Sequence, residues 1–143
     1  MEEHEFEEPK PICLVTHPEV PEAAIKLLES IFQVIICESK PPQRQEILSK
    51  SKHVDAILWA DSTCLNAAAL NASGDNLKVV STMTSNVDFI DIVEMKKRGI
   101  LCGYTPGVCA EAVGDLAIGL MLAAARHLIE ARKEIGWYYI GYE

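Results

Sequence analysis

The chain has 143 residues, a formal net charge of −8, and 49% hydrophobic against 24% charged residues. That length is one domain's worth, enough to bury roughly two-thirds of the surface the unfolded chain exposes. The negative charge opposes phosphate backbones and anionic lipid surfaces, so neither nucleic acid nor a membrane is expected as a partner.

Met1–Glu8 holds five Glu and reads, with Pro9 and Lys10, as a disordered acidic tail covering residues 1–10. It carries neither the basic-then-apolar pattern of a signal peptide nor the Arg-rich pattern of a transit peptide. The chain then alternates apolar runs with helical patterns. Ile12–Thr16 (ICLVT) predicts a strand, and Pro21–Phe32 a helix with Ala24, Leu27, Leu28 and Ile31 at helical spacing. Gln33–Cys37 predicts a second strand and Pro42–Ser49 a shorter helix. Ala56–Trp59 predicts a third strand, followed by one or two helical turns over Asn66–Ala72 that stop at Gly74.

Leu77–Met83 predicts the fourth strand, with a helix over Phe89–Arg98 capped by Asp88. Lys96, Lys97 and Arg98 complement the dipole at its far end, and Gly99 closes it. Ile100–Tyr104 predicts a fifth strand, Pro106-Gly107 a turn, and Ala110–Ile135 one long helix. Its uncharged stretch Leu116–Ala125 is about half of what a bilayer crossing needs. Short, wholly apolar strands alternating with helices imply a doubly wound, flavodoxin-like α/β domain built on a parallel sheet of about five strands.

Ligands of such sheets bind beyond the carboxyl ends of the strands. That singles out Thr16-His17-Pro18, Ala60-Asp61-Ser62, Met83–Asp88 and Thr105–Cys109. The loop Thr84-Ser85-Asn86-Val87 is the best candidate, because free N–H groups at a helix start receive anions such as carboxylates. An ordinary polar βα turn is the equally weighted alternative. None of the eight glycines forms GxGxxG or GxxxxGK[ST], so no dinucleotide or P-loop cradle is expected. His4, His17, His53 and His127 lack metal-ligand spacing, and His127 reads as a surface or interface residue of the long helix. The five cysteines are odd in number and contain no CxxC, which points to a reducing compartment and a cytoplasmic location. Asp61 stands where a phospho-receiver carries its acceptor. The acidic cluster after strand 1 and the Lys after strand 5 that such a domain needs are replaced by Thr16-His17-Pro18 and Thr105-Pro106.

Asn76–Asp88 (NLKVVSTMTSNVD), Lys96–Val108 (KKRGILCGYTPGV) and Gly114–Arg126 (GDLAIGLMLAAAR) resemble the D-isomer-specific 2-hydroxyacid dehydrogenases. Within that family the likeness is to the glyoxylate/hydroxypyruvate reductases, where a Trp near Trp137 also follows the long helix. The resemblance implies two domains: a discontinuous flavodoxin-like substrate domain and an inserted Rossmann domain that binds NADP or NAD. On that scheme residues 11–109 are the first part of the substrate domain. Residues 110–143 are the interdomain helix and the beginning of the nucleotide-binding domain. The family's carboxylate-binding Arg, acid–base His and its acidic partner fall further along, so neither catalytic nor cofactor-binding residues are expected here. Ser85 and Asn86 match the loop whose backbone contacts the substrate carboxylate. Asn86 replaces the family's Gly, Phe89 stands where His is frequent, and Asp115 where Glu is usual. The implied partners are a small 2-keto or 2-hydroxy acid and, for the parent enzyme, a second subunit in a homodimer. The competing expectation is a non-catalytic flavodoxin-like domain that binds small carboxylates or pairs with another subunit.

Overall fold

The computed structural model describes residues 9–60 and 63–139; the acidic tail expected at Met1–Glu8, and Asp61 and Ser62 of the second candidate loop, lie outside the described residues. The chain divides into two compact units, one ending at Pro106 and the other beginning at Gly107.

The first unit carries strands β1 (Ile12–Val15), β2 (Gln33–Ile36), β3 (Ala56–Trp59), β4 (Val79–Thr82) and β5 (Leu101–Gly103), with helices α1 (Glu22–Ile31), α2 (Arg44–Lys50), α3 (Ala67–Ser73) and α4 (Ile92–Lys97). All four strand pairings are parallel, in the order β2-β1-β3-β4-β5. This is the flavodoxin-like order the alternating pattern implied, and its strand order reverses at the β1/β3 boundary. Because parallel crossovers are right-handed, α1 lies on one face of the sheet and α2, α3 and α4 on the other.

The core follows from the two-residue period of the strands. Leu14, Ile57, Trp59 and Val80 point to the three-helix face and pack with Ile47, Leu65, Leu70 and Met95. On the α1 face Cys13, Val15 and Ala56 are buried, while Leu58, Val79 and Ser81 are half-buried and Leu101 is 71% exposed. Leu27 and Ile31, expected on the packed stripe of α1, are 68% and 57% exposed. Ala24, Ile25 and Leu28 make the contact instead, so α1 buries a narrower stripe than its sequence offers.

The largest shift of a helix start from the sequence expectation is in α4. The fourth helix starts at Ile92, not Phe89, and its cap is Asp91, whose Oδ1 accepts from the Glu94 N–H at 2.9 Å. The reason is tertiary. Leu65 N–H donates to the Phe89 carbonyl and Asp91 N–H to the Leu65 carbonyl, so residues 89–91 are drawn into a bridge with Leu65. Gly99 closes α4 at φ +70°, as expected.

The second unit is two helices rather than one. α5 (Ala110–Ala125) and α6 (Leu128–Tyr139) meet at a 62° bend. Arg126 ends the first, and His127 between them takes a left-handed φ of 52°. His127 is therefore a hinge residue, outside either helix, and Trp137 lies within α6. Among the described residues no single helix is long and apolar enough to cross a membrane.

Candidate functional site

Within the first unit, the described residues of the candidate loops follow the carboxyl ends of their strands, but they are not equivalent. The first is spent on holding the fold. Thr16 is fully buried; its N–H donates to the Leu58 carbonyl at 3.1 Å, and its Oγ1 accepts from the Ala60 N–H at 2.9 Å. Those bonds close the gap between β1 and β3, the very place where the strand order reverses. His17 Nδ1 accepts from the Glu19 N–H at 3.0 Å, a local turn contact that uses one ring nitrogen.

The β4 loop is arranged differently. Register pairs Ser81 with Gly103, so two residues further on Met83 and Thr84 stand beside Thr105. The Thr84 carbonyl accepts two bonds from that neighbour, from the Thr105 N–H at 3.1 Å and from its Oγ1 at 3.0 Å. The Thr84 hydroxyl donates to the Asn86 carbonyl at 2.7 Å. Since a hydroxyl has one proton, the 3.0 Å contact between Thr82 and Thr84 must then be donated by Thr82. The Thr84 and Asn86 carbonyls are thereby occupied. The loop's donors are not: among the described residues the N–H groups of Ser85 and Asn86 have no partner, and both residues are exposed. Two open N–H groups on an exposed, braced turn are donors available to a small anion.

The origin of those donors differs from the sequence expectation. They do not belong to a helix start, because α4 begins five residues after Val87 and its first turn is capped by Asp91. Asn86 also does not use the left-handed tolerance of an Asn. Among the described non-glycine residues only His53 and His127 have positive φ. Phe89 packs against the core cluster rather than facing the loop as a reactive group. Sequence reasoning named this loop and Thr105–Cys109 as separate candidates without joining them; the pairing of Thr84 with Thr105 was recoverable by counting the parallel register from β4 into β5.

Nucleophilic cysteine chemistry has no support here. Burial pushes the Cys37 thiol up to about 11, with the Glu46 carboxylate adding to it, and burial also raises Cys13 and Cys102. Among the described residues no group of three His, Cys, Asp or Glu side chains stands close enough to hold a metal ion.

Comparison with known proteins bears on the family and the fold. The model of the family described as D-isomer specific 2-hydroxyacid dehydrogenase, catalytic domain, matches residues 13–139. A glyoxylate reductase of Thermofilum pendens is 40% identical over 118 residues, covering 81% of this chain and 34% of that protein. A glyoxylate reductase/hydroxypyruvate reductase of Mus musculus is 48% identical over 71 residues, covering 48% of this chain and 22% of that protein. The crystal structure of a 2-hydroxyacid dehydrogenase from Ketogulonicigenium vulgare superposes with a TM-score of 0.72 at 27% identity, covering 94% of this chain and 41% of that one. The chain thus spans between about a fifth and two-fifths of the length of these relatives. With a family match running through both units and a five-stranded parallel sheet of the same fold, the chain belongs to the D-isomer specific 2-hydroxyacid dehydrogenase family.

Proposed function

We propose that these 143 residues supply the substrate-carboxylate side of an NAD(P)-dependent reductase of small 2-keto acids, of the glyoxylate/hydroxypyruvate reductase type. Residues 11–109 form the first part of its substrate domain and residues 110–143 the connection to its nucleotide-binding part. The carrying observation is the pair of unpartnered amides at Ser85 and Asn86, held at the carboxyl end of β4. A 2-keto acid presents a carboxylate next to its reactive carbonyl. Fixing the first orients the second, which is how a positioned ligand gains rate.

The chain's own contribution stops at that orientation. The glycines of this chain do not have the spacing a dinucleotide loop needs: none of the eight stands in GxGxxG, and Gly74, Gly99 and Gly107 take the positive φ of isolated turn glycines. The tight glycine, Gly103, faces the Ser81 hydroxyl rather than a cradle. No step is therefore assigned to a cofactor on this chain, and the isolated chain is expected to show no NADPH- or NADH-dependent turnover of glyoxylate. Two charge-assisted N–H bonds without a guanidinium clamp contribute about 3–6 kcal/mol; ordering and association costs bring this to about 4 kcal/mol or less, a dissociation constant of about 1 mM or weaker.

A chimera tests the reading. Residues 13–139 are exchanged for the matching segment of the Thermofilum pendens glyoxylate reductase. The account expects measurable glyoxylate reduction, raised further by Asn86→Gly. A folded chimera that binds dinucleotide but reduces no 2-keto acid contradicts it.

A further inference from the structure

We propose that Thr105 is the positioning residue of the carboxylate loop: it pins the Thr84 carbonyl from the neighbouring strand so that the amides of Ser85 and Asn86 are presented as a fixed pair. The proposal rests on the carboxylate reading given above. Its ground is an asymmetry in the hydrogen bonds. One carbonyl, that of Thr84, takes both donors of a single residue lying 21 positions further along the chain. The amides that follow, from Ser85 to Phe89, take nothing among the described residues, and those of Ser85 and Asn86 are the two nearest the pinned carbonyl.

A peptide unit links the two observations. The Thr84 carbonyl and the Ser85 N–H belong to the same planar peptide, so fixing the oxygen fixes the direction of the amide hydrogen opposite it. The Thr84 hydroxyl does the same two peptides further, holding the Asn86 carbonyl at 2.7 Å. Between them lies the peptide whose N–H belongs to Asn86, fixed at both ends. Thr105 is exposed, so its hydroxyl is not there to satisfy a buried group and its removal leaves the core untouched. It also immediately precedes Pro106, the last residue of the first unit. The clamp therefore joins the loop to the final residues of its own unit.

The test uses the whole 143-residue chain, isotopically labelled, as wild type, Thr105→Val and Thr105→Ser. Val keeps the backbone bond and the side-chain shape but loses the hydroxyl. Each protein is titrated with glyoxylate while backbone amide shifts are followed, and its thermal melt is recorded. The expected result for Thr105→Val is a shift of the Ser85 and Asn86 amides in the free protein and a weakening of glyoxylate binding by about 2- to 10-fold, the range one lost hydrogen bond covers. Thr105→Ser is expected to restore both. If Thr105→Val lowers only the melting midpoint and binds glyoxylate as wild type does, Thr105 is merely structural and the proposal is overturned while the carboxylate reading stands. If glyoxylate leaves Ser85 and Asn86 unmoved in the wild type, the carboxylate reading fails and this proposal with it.

Discussion

Thr16→Val removes one oxygen and almost no volume, and it strikes the point where the strand order reverses. The Thr16 Oγ1 accepts the Ala60 N–H at 2.9 Å; its own contact to the Leu58 carbonyl, at 3.4 Å, is long and contributes little. Val fills the same space, so the cost is dominated by the Ala60 amide left without an acceptor. An unsatisfied buried donor costs about 1–3 kcal/mol. Ala60 is half-buried, and water reaching it reduces this to about 1–2 kcal/mol. For a chain of this size that lowers the melting midpoint by about 4–8 °C. The local signature is sharper: hydrogen exchange at the Ala60 amide should accelerate by roughly 5- to 30-fold, the population change that 1–2 kcal/mol produces. Thr16→Ser keeps the oxygen and should keep Ala60 protected even if the lost methyl lowers the melt. An unchanged melt together with an unchanged Ala60 exchange rate in Thr16→Val would falsify the claim that this hydroxyl closes the β1/β3 gap.

Glu46 sets a pH dependence. Lys50, the Ser39 hydroxyl and the Glu38 and Ser39 N–H groups together hold its carboxyl down to about 2. A depressed folded value means the stabilisation is complete above the ordinary carboxylate value, declines as pH falls below it, and is gone once pH passes below about 2. Urea melts between pH 6 and pH 2 should therefore show a steeper loss in wild type than in Glu46→Gln, and parallel curves would contradict the assignment. The second unit predicts self-association. Val113, Leu116, Ile118, Leu120, Met121 and Leu122 of α5 are each 58–71% exposed, more apolar surface than a monomer ordinarily carries. Sedimentation at micromolar concentration should find species larger than the monomer, and a sharp monomer boundary would count against that expectation.

Legibility in the sequence tracked how local the cause was. The five strands were readable because each is a short apolar run bounded by turn chemistry, and Gly74 and Gly99 stop their helices at φ +73° and +70° as isolated glycines do. Asn66 likewise starts α3 by accepting the Ala69 N–H, a cap visible in its position alone. The start of α4 was misplaced because two Asp residues compete for one cap. Asp91, followed three positions later by Glu94, has the spacing of a capping box, while Asp88 lies in the segment that Leu65 pulls away through space. The break at His127 has no local signal: the apolar pattern of α5 runs smoothly toward α6, and neither proline nor glycine marks the bend. At the candidate site, loop position was legible from strand order, but the source of its donors was not. The helix-start argument supplied the right residues for a different physical reason, since the open amides of Ser85 and Asn86 come from a turn braced by Thr84 and Thr105.

The most direct measurement is a glyoxylate titration of the isolated chain followed at every assigned backbone amide. The account predicts saturable shifts that are largest at Ser85 and Asn86, with a dissociation constant of about 1 mM or weaker. Largest shifts at His17, beyond the end of β1, or no saturable response anywhere in the chain, would contradict the assignment of the β4 loop as the seat of the substrate carboxylate.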